Sequence, residues 1–317
     1  MGSHRKPARI SIRQEERFSN QAMIERRILA ALLEVQDFPT LPEVMTNILQ
    51  IVEDERSSAE QLTALLECDH AISVRILRFA NSPFYGLRYQ VNSIRRAVVV
   101  VGFEAVKHLA LATSVFDAFS KRKQFALEPK DFWKHSLGAA KAAQVLCVKY
   151  GDVALKETCF TAGLLHDIGK YFLALVLKDE YCAVVRAAKE SLRPLREVEL
   201  ERLKTTHAEV GAWLAERWRF PHTITNVIAN LYRVSVSTIP NGMETATVVL
   251  ASEISRKTGF GNAGEGHPPC LDEKALSVIN LTESAVDEIV AELEPFLDET
   301  EQFLNVIAGD ESEDAAL

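Results

Sequence analysis

The chain lacks most of the features that would set it apart from ordinary globular proteins. Its 317 residues include only five cysteines, at 68, 147, 159, 182 and 270. Their number is odd and no pair has CxxC spacing. This argues against a disulfide framework or zinc knuckle and for small, mostly buried apolar residues. No run approaches the roughly 18 uncharged apolar residues of a membrane span, and Val98-Val99-Val100-Val101 is the longest β-branched run. Met1 to Phe18 is basic and polar, without the apolar centre of a signal peptide, so the chain is read as cytoplasmic and without a membrane partner. Excess positive charge is also missing. The net charge is −8, which weighs against a nucleic-acid partner, because such binding rests on clustered Lys and Arg. No internal repeat is visible.

The composition, 47% hydrophobic and 25% charged, is enough for a sizeable core. The sequence reads as helices nearly throughout. Thr40-Leu41-Pro42-Glu43 and Ser58-Ala59-Glu60-Gln61 resemble capping boxes. Leu41, Val44, Met45, Ile48, Leu49 and Val52 form one apolar stripe at helical spacing, and Leu62, Leu65 and Leu66 follow the second box. A third helix carries Ile72, Ile76, Leu77 and Phe79 and breaks at Asn81-Ser82-Pro83. Ile94 to Val101 has four valines that favour strand, but its helical neighbours and Gly102 as a cap predict a buried helix. The polar stretch Ser120 to Lys130 marks a boundary, with Lys121-Arg122-Lys123 as a solvated loop.

Beyond it, Asp131 is the expected N-cap, and helices are expected at about 131–150, 157–176, 179–190, 194–203, 207–219, 221–233 and 243–257. Gly259 to Cys270 reads as a linker. A final helix spans about 282–307 with the stripe Val286, Ile289, Val290, Leu293, Leu297, Leu304 and Ile307, and Pro295 should kink or break it. Docking of this helix on its own domain is preferred over pairing with a second copy, which would make a homodimer, or binding another partner.

Leu164-Leu165-His166-Asp167-Ile168-Gly169-Lys170 carries the chemistry. A histidine and an aspartate inside an apolar helix cost stability unless both are satisfied, and both are metal ligands. Neighbouring helical positions point about 100° apart, so both reach one ion only over the helix edge. Gly169 lets a backbone or ligand approach closely, and Lys170 is the natural cation for a phosphate. His135 and His207 stand on other helices, His207 in phase with Val210, Gly211, Leu214, Ala215 and Trp218.

His135 followed some thirty residues later by His166-Asp167 resembles the opening of the HD superfamily of metal-dependent phosphohydrolases. Leu41-Pro42-Glu43-Val44, Cys68-Asp69-His70-Ala71-Ile72, Arg75 to Ser82, Ile94-Arg95-Arg96-Ala97, Val101-Gly102, Phe132-Trp133-Lys134-His135-Ser136 and His207 to Leu214 narrow the resemblance to the HDOD domain, over roughly residues 37 to 258. The resemblance implies an all-α fold, an HD-domain-like helical bundle preceded by an N-terminal helical half. The organisation expected is a flexible 1–20, an HDOD domain at 21–258 (halves 21–127 and 128–258), a linker at 259–270 and a C-terminal helical segment with an acidic tail at 271–317.

Two departures bear on activity. Active HD enzymes close the metal site with an aspartate on a later helix, and that position here is Ser252, with Glu253 pointing elsewhere. HD-GYP phosphodiesterases carry two consecutive histidines where this chain has Ala229-Asn230-Leu231-Tyr232, and the GYP segment is absent; His222 lies off the apolar stripe. His135, His166 and Asp167, with His207 as a more distant contact, would hold at most one divalent ion. The alternative is that the three hydrogen-bond one another and brace a helix junction. The resemblance implies a non-catalytic or weakly active regulatory module working through signalling proteins in bacteria. An HD-type phosphohydrolase acting on a nucleotide or cyclic dinucleotide, steadied by Lys170, is the alternative, and a nucleotide-sensing protein the second.

Overall fold

A computed structural model describes residues 43–54, 56–81, 87–120, 126–234 and 241–308. Every regular element among them is helical, as expected. The N-terminal half contributes α1 (Glu43–Glu53), α2 (Ala59–Glu67), α3 (His70–Ala80), α4 (Ile94–Val100) and α5 (Phe103–Ser120). The second half contributes α6 (Pro129–Lys149), α7 (Lys156–Leu165), α8 (Ile168–Leu177), α9 (Asp179–Ser191), α10 (Leu195–Leu203), α11 (His207–Arg217), α12 (His222–Ala229) and α13 (Gly242–Lys257). α14 (Glu273–Ile279) and α15 (Glu283–Ala308) follow.

Local signals explain many of the boundaries. Ser58 caps α2 through a full capping box: its hydroxyl accepts from the Gln61 amide, and the Gln61 side chain accepts from the Ser58 amide at 2.8 Å. The box expected at Thr40 lies outside the described residues, as do Ser82 to Gly86 and Lys121 to Lys123. Asn81 ends α3 and ties the following loop. Its amide nitrogen donates to the carbonyls of Leu77 at 2.8 Å and Val91 at 2.7 Å, while its oxygen accepts from the Val91 amide at 2.6 Å. α4 is a helix as expected, but only half buried. Ile94, Ala97 and Val98 face the core, whereas Val99 is 78% exposed, because a single helical turn cannot turn four consecutive valines inward. Gly102 sits at φ +104°, a backbone region that suits glycine, between α4 and α5.

In the second half several expectations are corrected. α6 begins at Pro129 with Glu128 as its N-cap, so Asp131 lies in the first turn instead. The helix expected at 157–176 is two helices, α7 and α8, meeting at His166-Asp167. Asp167 leaves helical geometry there, at φ −98° and ψ 8°. α12 stops at Ala229, where the Asn230 side chain returns to the Asn226 carbonyl at 2.8 Å, so Tyr232 stands beyond the helix end. α14 was not anticipated. Pro295 does not end α15, which runs continuously from Glu283 to Ala308.

One core extends from Ile48 in α1 to Ile228 in α12, uniting the two halves across the polar boundary. A second cluster joins Ala142 and Leu146 of α6, Ile254 of α13, Ile279 of α14, and Val286, Ile289 and Leu293 of α15. α15 therefore docks on its own chain. Each of those three fully buried aliphatic side chains contributes about 1.5–3 kcal/mol. Lys149 pairs with Glu292, and Lys257 with Asp287 at 3.1 Å, along its edge. The side chains of Leu297, Leu304 and Ile307 lie outside the description. Val153–Leu177 is apolar and long enough by composition to cross a membrane, although it carries Lys156, Glu157, Asp167 and Lys170; it is interrupted at His166-Asp167, and 83% of its apolar 18-residue stretch is buried as core. All five cysteines are free; only Cys147 and Cys159 are buried, Cys182 is intermediate, and Cys68 and Cys270 are exposed.

Candidate functional site

The junction between α7 and α8 turns His166 and Asp167 toward one point, which continuous helix would not do. Asp167 Oδ2 lies 3.4 Å from His166 Nε2 and 3.5 Å from His135 Nε2 of α6. One donor atom from each of the three lies within 4.8 Å of the others, so His135, His166 and Asp167 form a group able to hold a metal ion. All three are buried. His166 Nδ1 bonds the Gly163 carbonyl at 2.7 Å, which leaves Nε2 facing the site. His135 Nδ1 has no hydrogen-bond partner among the described residues. Burial, partly offset by Asp167, lowers the His166 imidazole to about 4. At 3.4–3.5 Å the separations leave any direct hydrogen bonds among the three long, as in the alternative reading of a braced helix junction.

Ser252 of α13 lies against both imidazoles. Its hydroxyl lies 3.0 Å from His166 Nε2 and 3.4 Å from His135 Nε2. It is the residue at which the resemblance led one to expect a further carboxylate. Ser255, one turn on, bonds the His135 carbonyl at 3.0 Å and fixes α6 against α13. Glu253 points away, as expected. It holds Arg256 through both oxygens at 2.7 Å.

His207 begins α11, capped by the Thr206–Glu209 box. Its Nε2 is 3.7 Å from Asp167 Oδ1 but accepts the Tyr232 hydroxyl at 2.5 Å, and its Nδ1 meets Glu199 Oε2 at 2.6 Å. His207 therefore borders the group with both ring nitrogens engaged. Glu199 also accepts the Tyr181 hydroxyl at 2.6 Å and the His207 amide at 2.9 Å. Burial and this carboxylate push the Tyr181 hydroxyl well above its usual range. Leu231 is buried packing, as expected, and His222 is exposed. The close approach anticipated at Gly169 is by backbone: a Cβ there would lie 2.0 Å from the His207 carbonyl oxygen.

Lys170, the expected cation for a phosphate, is already paired within the chain. It is 2% exposed, and its ammonium lies 2.9 Å from Asp167 Oδ2 and 2.8 Å from Glu265 Oε1. Glu265 belongs to the 259–270 stretch, which is a strap across the site instead of a free linker. The Asn262 amide donates to the Asp131 carbonyl at 3.0 Å, Arg256 donates to the His267 carbonyl, and the Cys270 amide donates to Glu253 at 2.8 Å. Burial would raise both carboxyls and lower the ammonium. The charges outweigh it: Lys170 is raised, Asp167 is held well below the carboxylate range by His166 and Lys170, and Glu265 falls to about 2. A cavity of about 410 Å³ opens beside this cluster, lined by Asp167, Lys170, Arg196, Tyr232, Ser252 and Glu265 among others.

Glu199 and Glu265 were not found in the sequence. Glu199 was legible in principle, since it falls one turn after Leu195 on the buried face of α10. Glu265 sits in an irregular segment with no local signal.

An all-α bundle with a His-His-Asp corner is what the HD-like resemblance implied. Residues 38–234 match the family model of the HDOD domain, and the chain belongs to that family. A solved HDOD domain protein of unknown function from Geobacter sulfurreducens is 25% identical, with a TM-score of 0.75 over 91% of this chain and 98% of its own. A candidate signal transduction protein from Marinobacter aquaeolei shares the fold at 22% identity and a TM-score of 0.72, over 92% of this chain and 66% of its own. An uncharacterized protein of Treponema pallidum is 25% identical over 194 residues, 61% of this chain; the match spans 37% of that protein's length.

Proposed function

We propose that the chain is a regulatory HDOD module of bacterial signal transduction that acts through protein partners in the cytoplasm and does not depend on turnover. The observation that carries this reading is the corner at Ser252. A neutral hydroxyl faces His166 and His135 where an HD enzyme needs a carboxylate, and His207 is already occupied by Glu199 and Tyr232. The donors that remain suit one ion and fall short of a two-metal clamp. Lys170 supplies a fixed positive charge to Asp167, as a cation would, which favours a self-contained site.

The second reading is a weak metal-dependent phosphohydrolase, favoured by the three donor atoms within 4.8 Å of one another. In it His135, His166 and Asp167 would hold one divalent ion, which would polarise a phosphoryl oxygen or acidify a water. Hydrolysis of bis(p-nitrophenyl) phosphate by the full chain, with and without manganese, separates the two, with bound metal measured alongside. The expected result is no turnover above the metal-only control. Turnover that disappears in His166→Ala would overturn the regulatory reading.

A further inference from the structure

Glu265 is the single carboxylate of the 259–270 strap. Both its oxygens are used: Oε1 by the Lys170 ammonium at 2.8 Å, and Oε2 by the Leu195 amide at 3.1 Å, with His267 Nε2 3.5 Å from Oε2. An ammonium, a helix-start amide and an imidazole around one carboxylate are the donors that a bound phosphate or carboxylate group would meet. We propose that Lys170 and the Leu195 amide form an oxyanion-binding subsite which the chain's own Glu265 fills, and that a small phosphate- or carboxylate-bearing ligand entering the adjoining cavity competes with Glu265 for it.

Three observations point the same way. Leu195 is fully buried and is the first residue of the nine-residue α10, so its amide has no partner within the helix. Pro194 before it offers no capping side chain, so the fold requires an acceptor at this spot, and any oxyanion meets the requirement. Next, the subsite adjoins the 410 Å³ cavity. Arg196 lines that cavity, stacked 4.4 Å from the Tyr232 ring centre, and makes no ion pair among the described residues, so its guanidinium edge can meet further ligand oxygens. Finally, the strap is tied on both sides of Glu265, by Asn262 before it and by His267 and Cys270 after it. The strap backbone is therefore held in place, and a ligand need displace only the Glu265 side chain. The proposal is independent of whether the module hydrolyses anything.

The test uses the full chain, wild type and Glu265→Ala, melted in increasing phosphate and, separately, acetate, with ionic strength held by sodium chloride. Glu265→Ala should melt below wild type and recover saturably, with an apparent affinity about tenfold or more above that of wild type. Preference for phosphate or for acetate tells which ligand class fits. A response that is absent, or equal to that of wild type, overturns the proposal. Should Glu265→Ala fail to fold, Glu265→Gln keeps the shape and removes the charge. Amide exchange at Leu195 and across 259–270 should then be faster than in wild type and be slowed by phosphate; wild-type exchange indifferent to phosphate would reject the subsite.

Discussion

Replacing Lys170 by methionine keeps the length and apolar stem of the side chain and deletes one buried positive charge. In the native protein that charge lies 2.9 Å from one carboxylate oxygen and 2.8 Å from another, with the lysine 2% exposed. At an effective dielectric of about 20, each attraction is about 6 kcal/mol before desolvation is counted. Methionine removes both attractions together with the desolvation cost of the ammonium, and leaves Asp167 and Glu265 buried side by side without a cation. Breaking a buried pair in this way typically costs about 3–5 kcal/mol. Urea unfolding at pH 7, followed by the fluorescence of buried Trp133, measures it. The double variant Lys170→Met with Glu265→Gln should recover about 1–3 kcal/mol, because one of the stranded charges is then gone. A loss below about 1 kcal/mol in the single variant, or no coupling in the double, would refute the view that Lys170 is the counter-ion of this site.

Other predictions concern separate parts of the fold. His108 of α5 is buried and bonds Thr161 at 2.9 Å; burial first, then Lys107, lowers it to about 4. The unfolded chain takes up this proton near pH 6.5, so stability is full above that pH and about 3 kcal/mol of it is lost as pH falls to 4. In His108→Gln that part of the acid sensitivity should vanish from denaturation curves taken between pH 7 and 4. Asn81→Ala strands the Val91 amide and carbonyl and should lower stability by about 2–3 kcal/mol in urea, whereas a change within about 0.5 kcal/mol would dismiss the loop tie. Ser252→Asp restores a carboxylate opposite His135 and His166. The full chain should then retain manganese about tenfold or more tightly than wild type by equilibrium dialysis, and equal retention would show that Ser252 does not stand at a ligand corner.

Much of the scaffold could be read from sequence because it is periodic. The stripe His207, Val210, Gly211, Leu214, Ala215 and Trp218 is buried throughout, as is Ile224, Val227, Ile228 and Leu231, since a helix that buries one face must repeat its apolar residues at helical spacing. The Ser58 box and the Gly102 turn were legible for the same local reason. The site was half legible. His135, His166 and Asp167 converge as their motif implied, but the junction that lets adjacent residues share one point could not be seen, because the apolar pattern runs unbroken through it.

Sequence by itself determined that this chain is an all-helical HDOD protein and that His135, His166 and Asp167 belong to one motif. Periodic burial and short motifs are properties of neighbouring residues. Tertiary structure alone decided what fills the gaps: the Ser252 hydroxyl between two imidazoles, Tyr232 and Glu199 on His207, and Glu265 brought by the strap onto Lys170. Those groups are 25 to 117 positions apart in four of the five contacts, and Glu199 was hidden by its place on a helix with two other glutamates. Such pairs form because a buried charge or polar atom must find a partner somewhere in the folded chain, and nothing in the local pattern says where.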